Sequence, residues 1–161
     1  RFAHCAVLVV RPGASSGRVL VATDLSAGAD VAVRRAAALA EARGATLTTM
    51  HVIDTAMPFP MDAGVSTSAM VSTQLLRQRA ADELRAHLDA LGVRSEVTIA
   101  DGPVVDSMVR VARSLPAELV VVGTIGRTGL ARVTLGNTAE AAIRELPCSV
   151  LVVRVDAATP R

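Results

Sequence analysis

The feature that most constrains this chain is an alternation. Between residues 17 and 154, short runs rich in Val, Leu, Ala and Thr take turns with stretches whose apolar residues recur at helical spacing. The strand-like runs occupy residues 18–23, 45–53, 93–100, 119–122 and 149–153. The first helical stretch follows a candidate N-cap at Ser26, sets Val31, Ala32, Ala36, Leu39 and Ala40 in period, and ends at Gly44. The second covers residues 67–91, with Met70, Leu75, Leu76, Ala80, Leu84, Leu88 and Leu91 in period before Gly92. The third accepts Pro103 in its first turn and runs to Leu115, and the last starts at Asn137 or Thr138 and reaches Glu145. Parallel strands need crossovers of this length, whereas antiparallel neighbours are joined by tight turns. Runs such as "LVVV" at 119–122 have no polar face, so helices cover both sides of the sheet. The fold class is therefore α/β, an open doubly wound five-stranded parallel sheet of order 3-2-1-4-5. An extra N-terminal edge strand is expected beside it.

Length and composition bound the rest. With 161 residues, 51% hydrophobic and 20% charged, the chain is one globular domain. It has two Phe and neither Tyr nor Trp, so it lacks the stacking platform of a single-strand nucleic-acid binder. All 17 basic residues are Arg, scattered along the sequence, and the net charge is +2. No basic stripe tracks a phosphate backbone, so no nucleic-acid partner is expected. No apolar run approaches the roughly 20 residues of a membrane helix, so no membrane partner is expected either. The chain opens without Met or a signal peptide, which reads as a processed or excised segment. Cys5 and Cys148 have no metal-ligand spacing and lie in apolar strand patterns. They read as buried free thiols in a reducing, cytoplasmic setting.

In an open doubly wound sheet, ligands bind outside the carboxyl ends of the strands where the strand order reverses. Here that point lies between the first and fourth core strands. The loops that meet there are residues 23–26, Thr-Asp-Leu-Ser, and the segment 123–142 with Gly123, Gly126, Gly129 and Gly136. Glycine lets bare backbone approach a ligand. The helix that follows Gly136 offers unpaired N–H groups and a positive dipole end to a phosphate. No Lys follows any of these glycines, so the loop is not a Walker A loop. No Ser-His-Asp or Cys-His set is placed, and no base is aligned for phosphoryl transfer. Catalysis is expected to be absent or weak.

Gly123-x2-Gly126-x9-Gly136, in the setting "VVVGTIGRTGL…LGNTAEAAIRELPCSVLVVR", resembles the nucleotide-binding motif of the universal stress protein family. "VLVATDLS" at 19–26 resembles that family's first strand and loop, and "TMHVID" at 49–54 its second strand. The resemblance covers about residues 17–154. It implies an adenine-nucleotide (ATP) binding protein that acts as a switch in stress response or signalling. By the same resemblance Thr23 and Asp24 lie near adenine and ribose, and Val52 contacts adenine through its backbone. Gly123, Thr124 and Gly126 wrap ribose and phosphate, Arg127 adds charge, and Gly136, Asn137 and Thr138 hold the phosphates. Mg²⁺ can enter with the nucleotide, with Asp24 as the candidate carboxylate. One position departs from the family's ATP pattern: Asn137 stands where it has Ser or Thr, and "GNTAE" looks most like the second half of tandem members. Two other readings stay open: a non-nucleotide interaction or metabolite-binding module on the same fold, and a slow nucleotide hydrolase.

Plainer roles exist for the same residues. Asp24 can end a strand and cap a turn, Gly123 can serve packing, and Asn137 or Thr138 can be an N-cap. His51 reads as a core or loop-contact residue, and His4 and His87 carry no constellation. Arg127 and Arg132 can be solvated loop charges.

The motif Cys-x-Val-Leu-Val-Val-Arg at 148–154 also occurs at 5–11, ahead of a linker-like stretch over 11–17. The resemblance implies antiparallel pairing of final strands from two domains, so 6–10 is expected to pair with 149–153, within the chain or in a homodimer. The expected division is 1–16, an extra strand and linker left from a preceding repeat; 17–155, the nucleotide-binding domain; and 156–161, a tail.

Overall fold

Alternate residues of each strand bury on opposite faces of one sheet, and this sets the layer order. The computed structural model describes residues 5–13, 15–53, 67–124 and 136–154, with side chains described from Thr73 onward in the second helix. The elements are β1 (Val7–Val9), β2 (Arg18–Thr23), α1 (Ala27–Arg43), β3 (Thr46–Ile53), α2 (Thr67–Leu91), β4 (Glu96–Asp101), α3 (Val104–Ser114), β5 (Leu119–Gly123), α4 (Asn137–Glu145) and β6 (Ser149–Val153). Val19, Val21, Leu119, Val121, Leu151 and Val153 pack toward α1 and α2, against Ala32, Val33, Ala36, Leu84 and Leu88. Leu20, Val120, Val122, Val150 and Val152 pack toward α3 and α4, against Met108, Val111, Ala139 and Ala142. The small residues Ala32, Ala36 and Ala40 recur every fourth position of α1 and are buried, which lets that helix lie close on the strands.

The sheet order is β1-β6-β5-β2-β3-β4. The strands β2 to β6 run parallel to one another, and counted from β2 they give the order expected from the alternation. β1 is the added edge strand. It runs antiparallel to β6 within the same chain, with Val7 opposite Val152, Leu8 opposite Leu151 and Val9 opposite Val150. The stretch after it is fastened to α4: the Arg11 guanidinium donates to the carbonyl oxygens of Ile143 and Leu146, which close that helix. Among the described residues, no helix is long and apolar enough to cross a membrane.

Ser26 caps α1, its hydroxyl accepting from the Ala29 N–H at 3.2 Å. Gly44 ends the helix in the left-handed region at φ 60°, a conformation that is strained for a side-chain-bearing residue.

Several expectations need correction. Cys5 is exposed, because it precedes a border strand whose own Val7 and Leu8 are exposed; Cys148 is buried. The strand expected at 93–100 is β4 and starts at Glu96. Val93 is buried, but it follows the close of α2, its N–H bonding to the Leu88 carbonyl. Pro103 takes the N-cap place with extended ψ of 133°, and the helix begins after it. Leu75 and Leu76 are exposed, and among the described side chains of α2 the buried leucines are Leu84 and Leu88, on the helix that packs on β3 and β4. The loop at 54–66 and the tail at 156–161 lie outside the described residues.

Candidate functional site

Two strands that pair at the centre of the sheet part company at their carboxyl ends. The β2–β5 ladder stops at Val21–Val121, before Ala22 and Thr23 on one strand and Val122 and Gly123 on the other. Their outer partners continue: β3 follows β2 to Thr23–His51, and β6 follows β5 to Gly123–Val153. A notch therefore opens where the strand order reverses, the place at which such sheets bind ligands.

One side of the notch is a turn built by its own side chains. The Thr23 hydroxyl accepts from the Leu25 N–H at 3.0 Å, and Asp24 Oδ1 accepts from the Ser26 N–H at 3.1 Å. Ser26 Oγ also donates to Asp24 Oδ1 at 2.5 Å while it caps α1. Side-chain oxygens that reach two residues ahead fix a tight turn. The turn holds Leu25 at φ 63°, the one non-glycine residue with positive φ among those described. That conformation costs of order 1 kcal/mol or more for a branched residue and is sustained only by its surroundings. Asp24 thus performs the turn-capping role that its sequence position allowed. His51 Nδ1 lies 2.9 Å from the Thr23 carbonyl oxygen and ties β3 to the same turn. Val52, next along β3, is half-buried against the core shared with α3 and α4.

The other side is formed by the end of β5 and the start of α4. The Thr124 N–H donates to the Val153 carbonyl at 3.0 Å, and the Thr124 carbonyl accepts from the Gly136 N–H at 3.2 Å. Gly136 is the N-cap of α4, in extended conformation, and it has no side chain with which to cap the helix. A Cβ placed on it would sit 2.8 Å from the Thr124 carbonyl oxygen. Only glycine lets the helix start this close to the strand. Asn137 and Thr138 are therefore not the cap: they stand in the first helical turn with exposed side chains.

The structure thus groups Thr23, Asp24 and Val52 at the ends of β2 and β3, and Gly123, Thr124, Gly136, Asn137 and Thr138 at the junction of β5 with α4. Gly126 and Arg127 lie outside the described residues, as do Gly129 and Arg132. The donor set suits a phosphate group: a helix start without a side-chain cap, the positive end of its dipole, and exposed amide and hydroxyl side chains beside it. Sequence reasoning missed the strained Leu25 and the double role of Ser26. It also missed a pair that locks α1 to α2, His87 Nε2 with Asp30 Oδ1 at 2.7 Å. Their sequence separation leaves no local signal for that pair.

Comparison with known proteins bears on the family and the fold. Residues 16–154 match the model of the Universal stress protein family. Universal stress protein MJ0531 of Methanocaldococcus jannaschii is 30% identical over 142 residues, covering 85% of this chain and 81% of that protein. A universal stress protein whose crystal structure is in complex with cAMP superposes with a TM-score of 0.59 at 27% identity, covering 86% of this chain and 97% of its own. The functionally unknown protein PA1789 from Pseudomonas aeruginosa superposes with a TM-score of 0.69 at 25% identity, covering 96% of this chain but 54% of its own.

Proposed function

Because the chain belongs to the universal stress protein family, we propose that it binds an adenine nucleotide in the notch between β2 and β5 and acts as a switch in stress response or signalling. The observation that carries this reading is the Gly136–Thr124 contact, which holds a helix start with no side-chain cap among the described residues against the end of β5. Thr23 and Asp24 face adenine and ribose, and Val52 offers its backbone to the base. Gly123, Thr124, Gly126 and Arg127 surround the ribose and first phosphate, and Gly136, Asn137 and Thr138 receive the phosphates. A Mg²⁺ brought by the nucleotide has Asp24 as its candidate carboxylate. The cAMP complex of a 27% identical universal stress protein supports adenine as the base. A reducing cytoplasm is the proposed setting.

No residue described at the notch is set up as a general base for phosphoryl transfer, so binding, not turnover, is the proposed output. Calorimetric titration with ATP, ADP, AMP and cAMP tests the reading. Saturable heat below millimolar nucleotide is the expected result, and no heat at millimolar concentration overturns it. Asn137, larger than the hydroxyl residue of the family pattern, favours a second reading in which the pocket takes another metabolite. Mass analysis of small molecules that co-purify with the protein separates the two.

A further inference from the structure

The notch lies at the carboxyl end of the sheet. A second recess, of about 490 Å³, lies at the opposite end, by the amino ends of β5 and β6. Cavities that hold small molecules run from about 300 to 1,000 Å³. Its walls come from four separate parts of the chain. These are β1 with the stretch after it, the end of α1, the turn from α3 into β5, and the turn from α4 into β6.

Much of that wall is apolar. Leu8 and Val10 contribute side chains that are 50% and 74% exposed, and Ala112, Ala117 and Leu119 are buried. Cys148 belongs to the same lining. Burial pushes its thiol above the ordinary value, so at neutral pH it is an uncharged, weakly polar surface.

The charges are one-sided. Among the described residues that line the recess, the charged groups are the guanidiniums of Arg11, Arg43 and Arg113 and the single carboxylate of Glu118. That carboxylate is already engaged. Its Oε2 accepts from the Ser15 hydroxyl at 3.2 Å and from the Gly17 N–H at 3.1 Å, which ties the stretch before β2 to the start of β5. Its Oε1 lies 3.6 Å from Arg43, too far for a hydrogen bond. Arg11 donates to the carbonyl oxygens of Ile143 and Leu146, neutral acceptors that leave its charge uncancelled. Arg113 has no ion-pair or hydrogen-bond partner among the described residues. Arg43 and Arg113 are both exposed, so each can turn its planar fork toward a ligand.

We propose that this recess binds a small amphipathic carboxylate, its aliphatic chain lying on Leu8, Val10 and Ala117 and its carboxylate held by Arg43 and Arg113. Each half of the lining needs the matching half of the ligand. A bare inorganic anion leaves the apolar wall in water, and a neutral aliphatic molecule leaves the cations without a partner. The guanidinium fork fits a carboxylate in charge-assisted pairs, which are the stronger hydrogen bonds. The site is distinct from the notch, because β5 and β6 each run five residues between the two ends of the sheet.

The test titrates octanoate into the 161-residue chain at low salt and follows backbone amide shifts by NMR. Saturable shifts are expected at Gly13, Ala117 and Ser149, with half-saturation at or below about 1 mM, while Thr23, Gly123 and Gly136 stay in place. Arg43→Gln combined with Arg113→Gln should weaken binding at least about tenfold, the loss of charge-assisted hydrogen bonds, without lowering the thermal midpoint. If the double variant melts early, Arg113→Gln alone carries the same test, since it breaks no contact among the described residues. 1-Octanol and inorganic phosphate are the controls, each expected to bind at least about tenfold more weakly than octanoate. The absence of saturable shifts up to about 10 mM octanoate overturns the proposal, as do shifts centred on the notch. Undiminished binding by the arginine variants overturns it too, and so does either control matching octanoate. None of these readouts depends on nucleotide binding, so the two proposals fail separately.

Discussion

A methyl group on Gly136 would sit 2.8 Å from the Thr124 carbonyl oxygen, and that oxygen belongs to the backbone and cannot swing aside. The Gly136→Ala variant must therefore move the start of α4 away from β5. Overpacking of this kind costs about 1–3 kcal/mol, to be read by urea denaturation, and nucleotide affinity should fall with it. A variant with unchanged midpoint and unchanged affinity would separate the helix start from the site. A second residue-scale prediction concerns alkali. Burial pushes the Cys148 thiol above its ordinary value of 9.0. As pH rises past that value the unfolded chain loses this proton while the folded chain keeps it. The stability contributed is complete at neutral pH and declines as pH climbs toward the folded value. The background is quiet, because the chain has neither Tyr nor Lys. Unfolding midpoints measured from pH 8 to 11 should drop in the wild type, and Cys148→Ala should flatten the drop.

At the scale of elements, α4 is held at both ends by other parts of the chain. Its start rests on β5 through Gly136, and its end is fastened by the Arg11 guanidinium. A cation at the carboxyl end of a helix satisfies terminal carbonyls and complements the dipole. Removing it in Arg11→Ala should cost about 1.5–3 kcal/mol, the usual range for hydrogen bonds to a charged group, with Arg11→Lys falling between. Equal urea midpoints for Arg11→Ala and wild type would show that the contact adds no stability. The elements themselves were largely legible in the sequence. Val19, Leu20 and Val21 announce a strand buried on both faces, Ala32, Ala36 and Ala40 a helix lying flat on it, and Gly44 its end. These signals are local, so one sequence carries them. The site was legible as far as its glycines were: Gly123 and Gly136 stand where the strand order reverses. What failed to show depends on partners distant in sequence. Gly136 displaced Asn137 as the cap because the Thr124 carbonyl lies against it. Leu75 is exposed because no described element covers that part of α2, and Asp30 finds His87 only after α1 and α2 have packed.

For the whole molecule, the consequence of β1 is association. A parallel sheet with β6 at its border would expose a row of unpaired N–H and C=O groups beside Val150 and Val152, a ready template for another strand. In this chain β1 occupies that row. Deleting residues 1–13 should therefore convert the protein into a concentration-dependent dimer in which β6 pairs with β6 about Leu151, seen as a doubled mass in light scattering. The intact 161-residue chain should stay free of association through β6 at micromolar concentration, since on that side of the sheet the border among the described residues is the three-residue β1. The deletion also removes Arg11, and loss of the α4 fastening alone could loosen the fold and cause association of another kind. Arg11→Ala in the full chain isolates that effect, because it keeps β1 in place. Dimerisation of the deletion variant with a monomeric Arg11→Ala assigns the association to the uncovered edge. Dimerisation of both assigns it to a loosened α4, and a deletion variant that stays monomeric removes β1 as the guard of β6.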